Sequence, residues 1–309
     1  MSYILTNPSA LSALQTLQQT QSQLKTVEGE VSSGLSVKSA ADNAAYWSIA
    51  TQLNSDSQVV GAANSALTQS QSVLDTATSA IDSVKSTIYS IQTALTEATN
   101  PGADISNIQT TLTALGTQLG NEVQGASFNG LNVLDGSQSA AATPAGPGTL
   151  QFVSGFNATA TGGSVTTIAF STSALIGYDG TTTPNGTGIL EGGTGSAAGG
   201  AGATNLLTLG TTVTDATTAN TALAGVATVL NNLTNYAATI GAAQDQMSAA
   251  STFNSELTTN YANGVAGLVD ANMNTASTQL QALQTQEQLG IQSLSIANQN
   301  SSLILKLFQ

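Results

Sequence analysis

Apolar side chains recur every three or four positions from Tyr46 to Leu95: Tyr46, Ile49, Leu53, Val60, Ala63, Leu67, Leu74, Ala77, Ile81, Val84, Ile88, Ile91 and Leu95, with Asp56 and Ser70 as polar interruptions. Alternating steps of three and four mark a helix with one narrow apolar seam. At ~1.5 Å per residue the stripe spans roughly 75 Å, whereas an ordinary helix holds about 11–12 residues. A seam of that length is buried only by other long helices, from the same chain or from other copies.

Further helices follow from the same spacing. One starts after Asn7-Pro8, carries Leu11, Leu14, Leu17, Leu24, Val27 and Val31, and breaks at Ser33-Gly34. Asn100-Pro101-Gly102 stops the long stripe, and Asp104 is placed to cap a shorter helix with Ile105, Ile108, Leu112, Leu115 and Leu119. The stretch Phe128–Gly136 alternates around Asn-Gly and Asp-Gly pairs and predicts a β-hairpin. Helical spacing returns at Leu223, Val226, Leu230, Leu233, Ala237 and Ile240, loosens near Asn260–Gly267, and resumes with Met273, Ala276, Leu280, Leu283, Ile291, Leu294, Leu303, Leu305 and Phe308. Between them, residues 137–212 are rich in Gly, Thr and Ala, with Gln151–Val153 and Val165–Phe170 as strand candidates.

The expected fold is mainly α: a long antiparallel helical rod built from both chain ends, with a β-hairpin and an inserted β- and loop-rich outer domain at 137–212 pushed out at the far end. The helices at 105–119 and 223–240 are placed to cover the long seam. The arms 9–31 and 273–308 are thin. At ~25 cal/mol per Å² they bury too little to offset ordering costs of ~1–2 kcal/mol per residue, so they are expected to be mobile until neighbouring copies cover them.

Composition then narrows the function. Only 7% of residues are charged, the net charge is −13, and the cations are Lys25, Lys38, Lys85 and Lys306 with no Arg. Such a chain cannot neutralise a row of phosphates, so nucleic acid is not expected as a partner. No apolar run approaches the ~20 residues of a membrane span, so no membrane insertion is expected. The segment Met1–Pro8 lacks a basic region and an apolar core, and no cleaved secretory signal is expected. With neither His nor Cys, the chain has no catalytic triad, thiol nucleophile or histidine-containing zinc site, and no catalytic, cofactor-binding or metal residues are expected. The carboxylates are scattered; Glu28 and Glu30 point to different sides of their helix. The run Gly192–Gly200 has Ala198 at the third glycine place of a phosphate loop and no preceding strand, so it reads as loop.

The segments Leu5-Thr-Asn-Pro-Ser-Ala10, Val31-Ser-Ser-Gly-Leu35, Ser39-Ala-Ala-Asp-Asn-Ala-Ala-Tyr-Trp-Ser-Ile-Ala50, Leu294-Ser-Ile-Ala-Asn-Gln299 and Leu305-Lys-Leu-Phe308 resemble the bacterial flagellins, most closely the alphaproteobacterial ones. The resemblance covers roughly 1–136 and 215–309. It implies a non-enzymatic subunit that self-assembles into the flagellar filament used for swimming; a hook–filament junction protein, or a surface adhesin acting through 137–212, is the alternative. It implies an inner-tube domain of 1–35 and 270–309, a helical rod domain of 36–136 and 213–269, and a variable surface-exposed domain of 137–212. It further implies an extracellular location, with the flagellar export apparatus, an export chaperone, the filament cap and hook-junction proteins as partners beside the helical homopolymer itself.

On this plan the inner-tube subunit interface comprises Leu11, Leu14, Leu17, Leu24, Leu294, Leu303, Leu305 and Phe308. The spoke joining tube to rod comprises Ser33, Gly34, Leu35, Ser39, Ala40, Asp42, Ala44 and Ala45. Ile49, Leu53, Leu67, Leu74, Ile81, Val84, Ile88, Ile91, Leu112, Leu115, Leu230 and Leu233 form the rod core. The family's usual Arg after Gly-Leu is Ser36 here, its Lys before the acidic residue is Ala41, and Tyr46 stands where many members have Gly. At that junction, packing by Tyr46 and Trp47 is expected in place of ion pairs.

Overall fold

The computed structural model describes residues 7–136, 148–159, 162–177, 188–192 and 204–307. It is mainly α, with two small antiparallel hairpins and a loop-rich middle. In order the elements are α1 (Pro8–Ser33), α2 (Ala44–Ala98), α3 (Ile105–Gly125), β1 (Ser127–Phe128), β2 (Leu131–Asn132), β3 (Thr149–Thr159), β4 (Gly162–Ser171), the short α4 (Leu209–Thr212), α5 (Ala216–Val269) and α6 (Met273–Leu307). The chain divides into two compact units, residues 1–57 with 259–309 and residues 58–258.

Local signals explain the helix ends. Pro8 opens α1, the Asn7 side chain accepts from the Ala10 N–H at 3.2 Å, and Gly34 closes the helix in the left-handed region at φ 74°. Asn43 caps α2 by accepting from the Ala45 and Tyr46 N–H groups, both at 3.1 Å. Asp104 caps α3 through the Asn107 N–H at 3.2 Å, as its sequence position predicts. Before α5, Asp215 accepts from the Thr218 N–H at 2.8 Å while the Thr218 hydroxyl accepts from the Asp215 N–H at 3.0 Å.

The low charge of these helices leaves their many hydroxyls to be satisfied locally. Ser70 donates to the Ala66 carbonyl at 2.8 Å, Thr76 to Ser72 at 2.8 Å and Thr78 to Leu74 at 2.9 Å. Ser70 thereby interrupts the apolar seam without an unpaired hydroxyl. The other interruption, Asp56, is buried and accepts from the Gln52 amide at 2.9 Å. Although the apolar spacing loosens at Asn260–Gly267, α5 continues unbroken to Val269. Isolated glycines lower helix stability by only ~1 kcal/mol each, which a long, packed helix absorbs.

In the unit of residues 58–258, Leu67, Leu74, Ile81, Val84, Ile88, Ile91 and Leu95 of α2 are fully buried. Ile108, Leu112 and Leu119 of α3 and Val226, Val229, Leu233 and Ile240 of α5 join them in one cluster. The β1–β2 turn has Asn129 and Gly130 at φ 51° and 79°, the two left-handed residues that a tight hairpin needs.

The described part of the middle shares the buried core of the unit of residues 58–258. Phe152, Phe170, Leu175, Ile176, Ile189, Leu190, Leu206 and Leu209 share the same buried cluster as the helices. Pairing of Phe152 with Ile168 and of Leu150 with Phe170 sets these apolar side chains on one face of the β3–β4 hairpin. The Phe152 and Phe170 rings lie 6.2 Å apart, and Phe170 lies 6.3 Å from Tyr236 of α5. The strands expected at 151–153 and 165–170 thus form one hairpin, β3–β4, whose alternate residues join the core of this unit.

Candidate assembly surfaces

In the unit of residues 1–57 with 259–309, α1 packs along α6. The Asn7 side chain donates to the Ala297 carbonyl at 2.9 Å, and Gln21 donates to Glu287 at 3.1 Å. Gly290 makes room for Leu17, whose Cδ1 would lie 3.2 Å from a Cβ placed there. Beyond these contacts the pair buries little. Thr20 and Val27 are the buried residues of α1, and Ala276 is buried in α6. Leu11, Leu14, Leu289, Ile291 and Ile296 remain exposed, Leu11 at 59% and Ile296 at 60%. An open groove of about 710 Å³ runs between the helices, lined by Ser12, Thr16, Leu289, Gly290 and Ser293 among others.

Of the residues expected at the inner-tube interface, Leu17, Leu24 and Leu294 are half-buried and Leu11 and Leu14 exposed. Leu303, Leu305 and Phe308 lie outside the residues whose side chains are described.

The residues expected in the spoke span the end of α1, the turn between α1 and α2, and the start of α2. Leu35 and Asp270 make an antiparallel bridge, the Ala271 N–H donates to the Gly34 carbonyl at 2.8 Å, and the Ser36 N–H donates to the Val269 carbonyl at 2.7 Å. The exposed Asp42 carboxylate accepts from the Lys38 N–H at 3.0 Å, the Ser39 N–H at 2.9 Å and the Ser39 hydroxyl at 3.1 Å. The Lys38 backbone bond, followed by the Ser39 bonds, holds the Asp42 pKa below its ordinary value. Ser33, Ser39, Ala40, Ala44 and Ala45 are exposed, and Gly34 and Leu35 are half-buried. Asn43, Ser36, Val269 and Asp270 complete this turn. The sequence reading missed Asn43, whose signal is an Asn directly before a helix; the other three carry no local signal, because their role is backbone pairing between segments far apart in sequence.

Among the expected rod-core residues, Leu67, Leu74, Ile81, Val84, Ile88, Ile91, Leu112 and Leu233 are buried, while Leu53, Leu115 and Leu230 are half-buried. Ile49, expected in the rod core, is 49% exposed. Tyr46 and Trp47 also stand open, at 46% and 41%.

Caps carried by local side chains, hydroxyls bonded one turn back, and leucine and isoleucine exposed on α1 and α6 leave apolar helix surface uncovered in the described residues. Among the described residues no cluster of three His, Cys, Asp or Glu could hold a metal ion, and no helix is long and apolar enough to cross a membrane.

Comparison with known proteins gives the family. Residues 4–139 match the bacterial flagellin N-terminal helical region, and residues 223–308 match the bacterial flagellin C-terminal helical region. The chain is 38% identical to Flagellin C of Rhizobium meliloti and 34% identical to a flagellin of Brucella melitensis, over the whole of each chain. It is 30% identical to Flagellin FljK of Caulobacter vibrioides over 99% of this chain and 98% of that one. The chain belongs to the bacterial flagellin family, within its alphaproteobacterial relatives. It is a structural subunit that polymerises with itself into the flagellar filament outside the cell; the junction and adhesin readings are not favoured.

Proposed function

We propose that this subunit builds its filament by closing α1 and α6 of many copies into an inner tube, through Leu11, Leu14, Leu17, Leu24, Leu294, Leu303, Leu305 and Phe308. The observation that carries this reading is the exposure of Leu11, Leu14, Leu289, Ile291 and Ile296 on two helices that bury so little between them. Apolar area left open on a paired helix is stabilised only when further helices cover it. In this scheme residues 1–35 and 270–309 form the tube, residues 36–136 and 213–269 the surrounding helical layer, and residues 137–212 the outward-facing part. The turn at Gly34, Leu35 and Asp42 joins the first two.

The subunit acts by geometry and carries no catalysis, cofactor or metal chemistry. Export through the flagellum's own apparatus without a cleaved signal peptide, a chaperone on the C-terminal arm, a filament cap and hook-junction proteins complete its partners; nucleic acid and membrane insertion play no part.

The test is seeded polymerisation of the full chain followed by electron microscopy. Leu14→Asp and Leu294→Asp should each leave a soluble helical monomer that forms no filaments. Normal filaments from both would overturn the assignment of these helices to the tube. N-terminal sequencing of the secreted protein tests the uncleaved export route.

A further inference from the structure

The turn between β1 and β2 holds a residue pair that assembly through α1 and α6 does not use. Asn129 and Gly130 are both exposed and both left-handed, and among the described residues Asn129 is the non-glycine residue with positive φ. The strands beside them contribute two residue pairs, Phe128 with Leu131 and Ser127 with Asn132. A hairpin of that length is marginal by itself, so its tip opens without disturbing the core. The base is held by Asn132, which is buried, donates to the Val123 carbonyl at 2.7 Å and accepts from the Leu134 N–H at 2.8 Å. Among the described residues no hydrogen bond engages the Asn129 side chain, and none outside the strand ladder engages the Gly130 N–H.

An asparagine followed by glycine can react with its own backbone. The Gly130 nitrogen attacks the Asn129 side-chain carbon Cγ, the new N–Cγ bond forms, and the Cγ–Nδ2 bond breaks. Ammonia leaves with the proton given up by the Gly130 nitrogen, and a five-membered succinimide remains. Water then adds to either ring carbonyl, giving aspartate or isoaspartate. Glycine favours the attack because no Cβ crowds its nitrogen and its backbone turns freely.

The chain has three such pairs, Asn129-Gly130, Asn185-Gly186 and Asn263-Gly264. Asn185 and Gly186 lie outside the described residues. Asn263 and Gly264 are as exposed in class as Asn129 and Gly130, yet they lie inside α5, where the helical ladder engages the Gly264 N–H and fixes the Asn263 backbone. Ring closure at Asn263 requires a turn of a 54-residue helix to break. At Asn129 it requires a two-pair turn to open, and the opening releases a side-chain-bearing residue from a conformation that such residues disfavour. Backbone restraint, not exposure, separates the two.

We propose that Asn129 is a self-modification site, converted in the folded subunit to isoaspartate and aspartate with water as the co-reactant. The product adds one carboxylate to a chain of net charge −13. Isoaspartate also carries an extra backbone carbon through a turn that has room for two ordinary residues, so that product loses the β1–β2 pairing. The inference stands on the single chain and does not depend on how copies assemble.

The test is incubation of the full chain at mildly alkaline pH in oxygen-18 water, followed by proteolysis and mass mapping, with electron-transfer fragmentation to separate isoaspartate from aspartate. In the folded chain the Asn129 peptide should exchange its amide nitrogen for solvent oxygen about tenfold or more faster than the Asn263 peptide. In denaturant the two rates should agree within about twofold, because the helix no longer protects Asn263. Gly130→Val should slow the reaction at Asn129 in the folded and the denatured chain alike, since the crowding at its nitrogen is local and needs no fold. The proposal falls if Asn129 reacts no faster than Asn263 in the folded chain, if denaturant leaves their ratio unchanged, or if Gly130→Val reacts as fast as the unmodified chain. Polymerisation of the unmodified chain is a separate measurement, so either result leaves the filament reading where it stands.

Discussion

The Asn254 side chain of α5 donates to the Ser154 carbonyl of β3 at 2.9 Å, and Asn254 is 2% exposed. The contact falls at the irregularity in the β3–β4 register between Val153 and Gly155, where a Cβ on Gly155 would stand 3.1 Å from the Asn254 oxygen. A bulge turns one strand carbonyl outward, and a buried amide from the helix takes it up. Asn254→Leu leaves that carbonyl without its donor and should cost about 1–3 kcal/mol. Thermal unfolding of the monomer checks this, and Gly155→Ala should destabilise in the same direction.

Tyr236 donates to the Val133 carbonyl at 2.9 Å and is buried. Burial raises its pKa well above the ordinary value of 10.0, against a smaller lowering by the Ser173 backbone. The unfolded chain therefore loses this proton first as pH rises. Stability from Tyr236 is fully present below about pH 10 and declines above it, towards the folded pKa. Denaturant titrations at pH 8 to 11 should show this decline, and Tyr236→Phe should flatten it while lowering stability at neutral pH through the lost hydrogen bond.

Asp42 and Asp215 respond at the acid end. Both have pKa values held below the ordinary value of 3.8, Asp42 chiefly by the Lys38 N–H and Asp215 chiefly by the Thr218 N–H. Their contribution is present above the unfolded pKa and is lost as pH falls through the lower folded value. Side-chain carboxyl titration followed by NMR should place both midpoints below those of exposed, unpaired aspartates, and Asp42→Asn should remove the acid-dependent change in the Ser39 amide shift.

Glu191 is buried and accepts from the Gly177 N–H at 2.8 Å and the Gly188 N–H at 2.9 Å. It ties together two chain segments that flank residues 178–187. Glu191→Ala should cost about 1–3 kcal/mol for the unpaired N–H groups and increase proteolytic cleavage nearby. Gly188→Ala should be worse, because its Cβ would meet the Leu175 carbonyl and the Ile176 backbone directly.

Assembly should respond weakly to salt. The chain has four cations, and the ion pair between Lys85 and Asp82 spans 3.8 Å on one exposed helix face. Raising NaCl from about 0.05 to 0.3 M shortens the screening length roughly from 14 to 6 Å, yet it should leave the critical concentration of polymerisation nearly unchanged in sedimentation assays.

Much of the architecture was legible along the chain because it depends on neighbours in sequence. The three-four spacing from Ile81 to Leu95 requires a buried helical seam. Asn7-Pro8 and Asp104 carry their caps in their own side chains, and Asn129-Gly130 carries the backbone freedom its turn demands. The flagellin segments at both ends named the family for the same reason, being contiguous runs.

What only the tertiary structure decided involves partners far apart in sequence. Asn254 and Tyr236 look like ordinary polar interruptions of a helix until the carbonyls of Ser154 and Val133 are brought to them. The spacing of Tyr46 and Ile49 suits a core, yet spacing alone does not say whether a covering helix reaches that turn, and both side chains stand nearly half exposed. Local periodicity fixes which face of a helix is apolar; what buries that face depends on how distant segments, and other copies, are arranged around it.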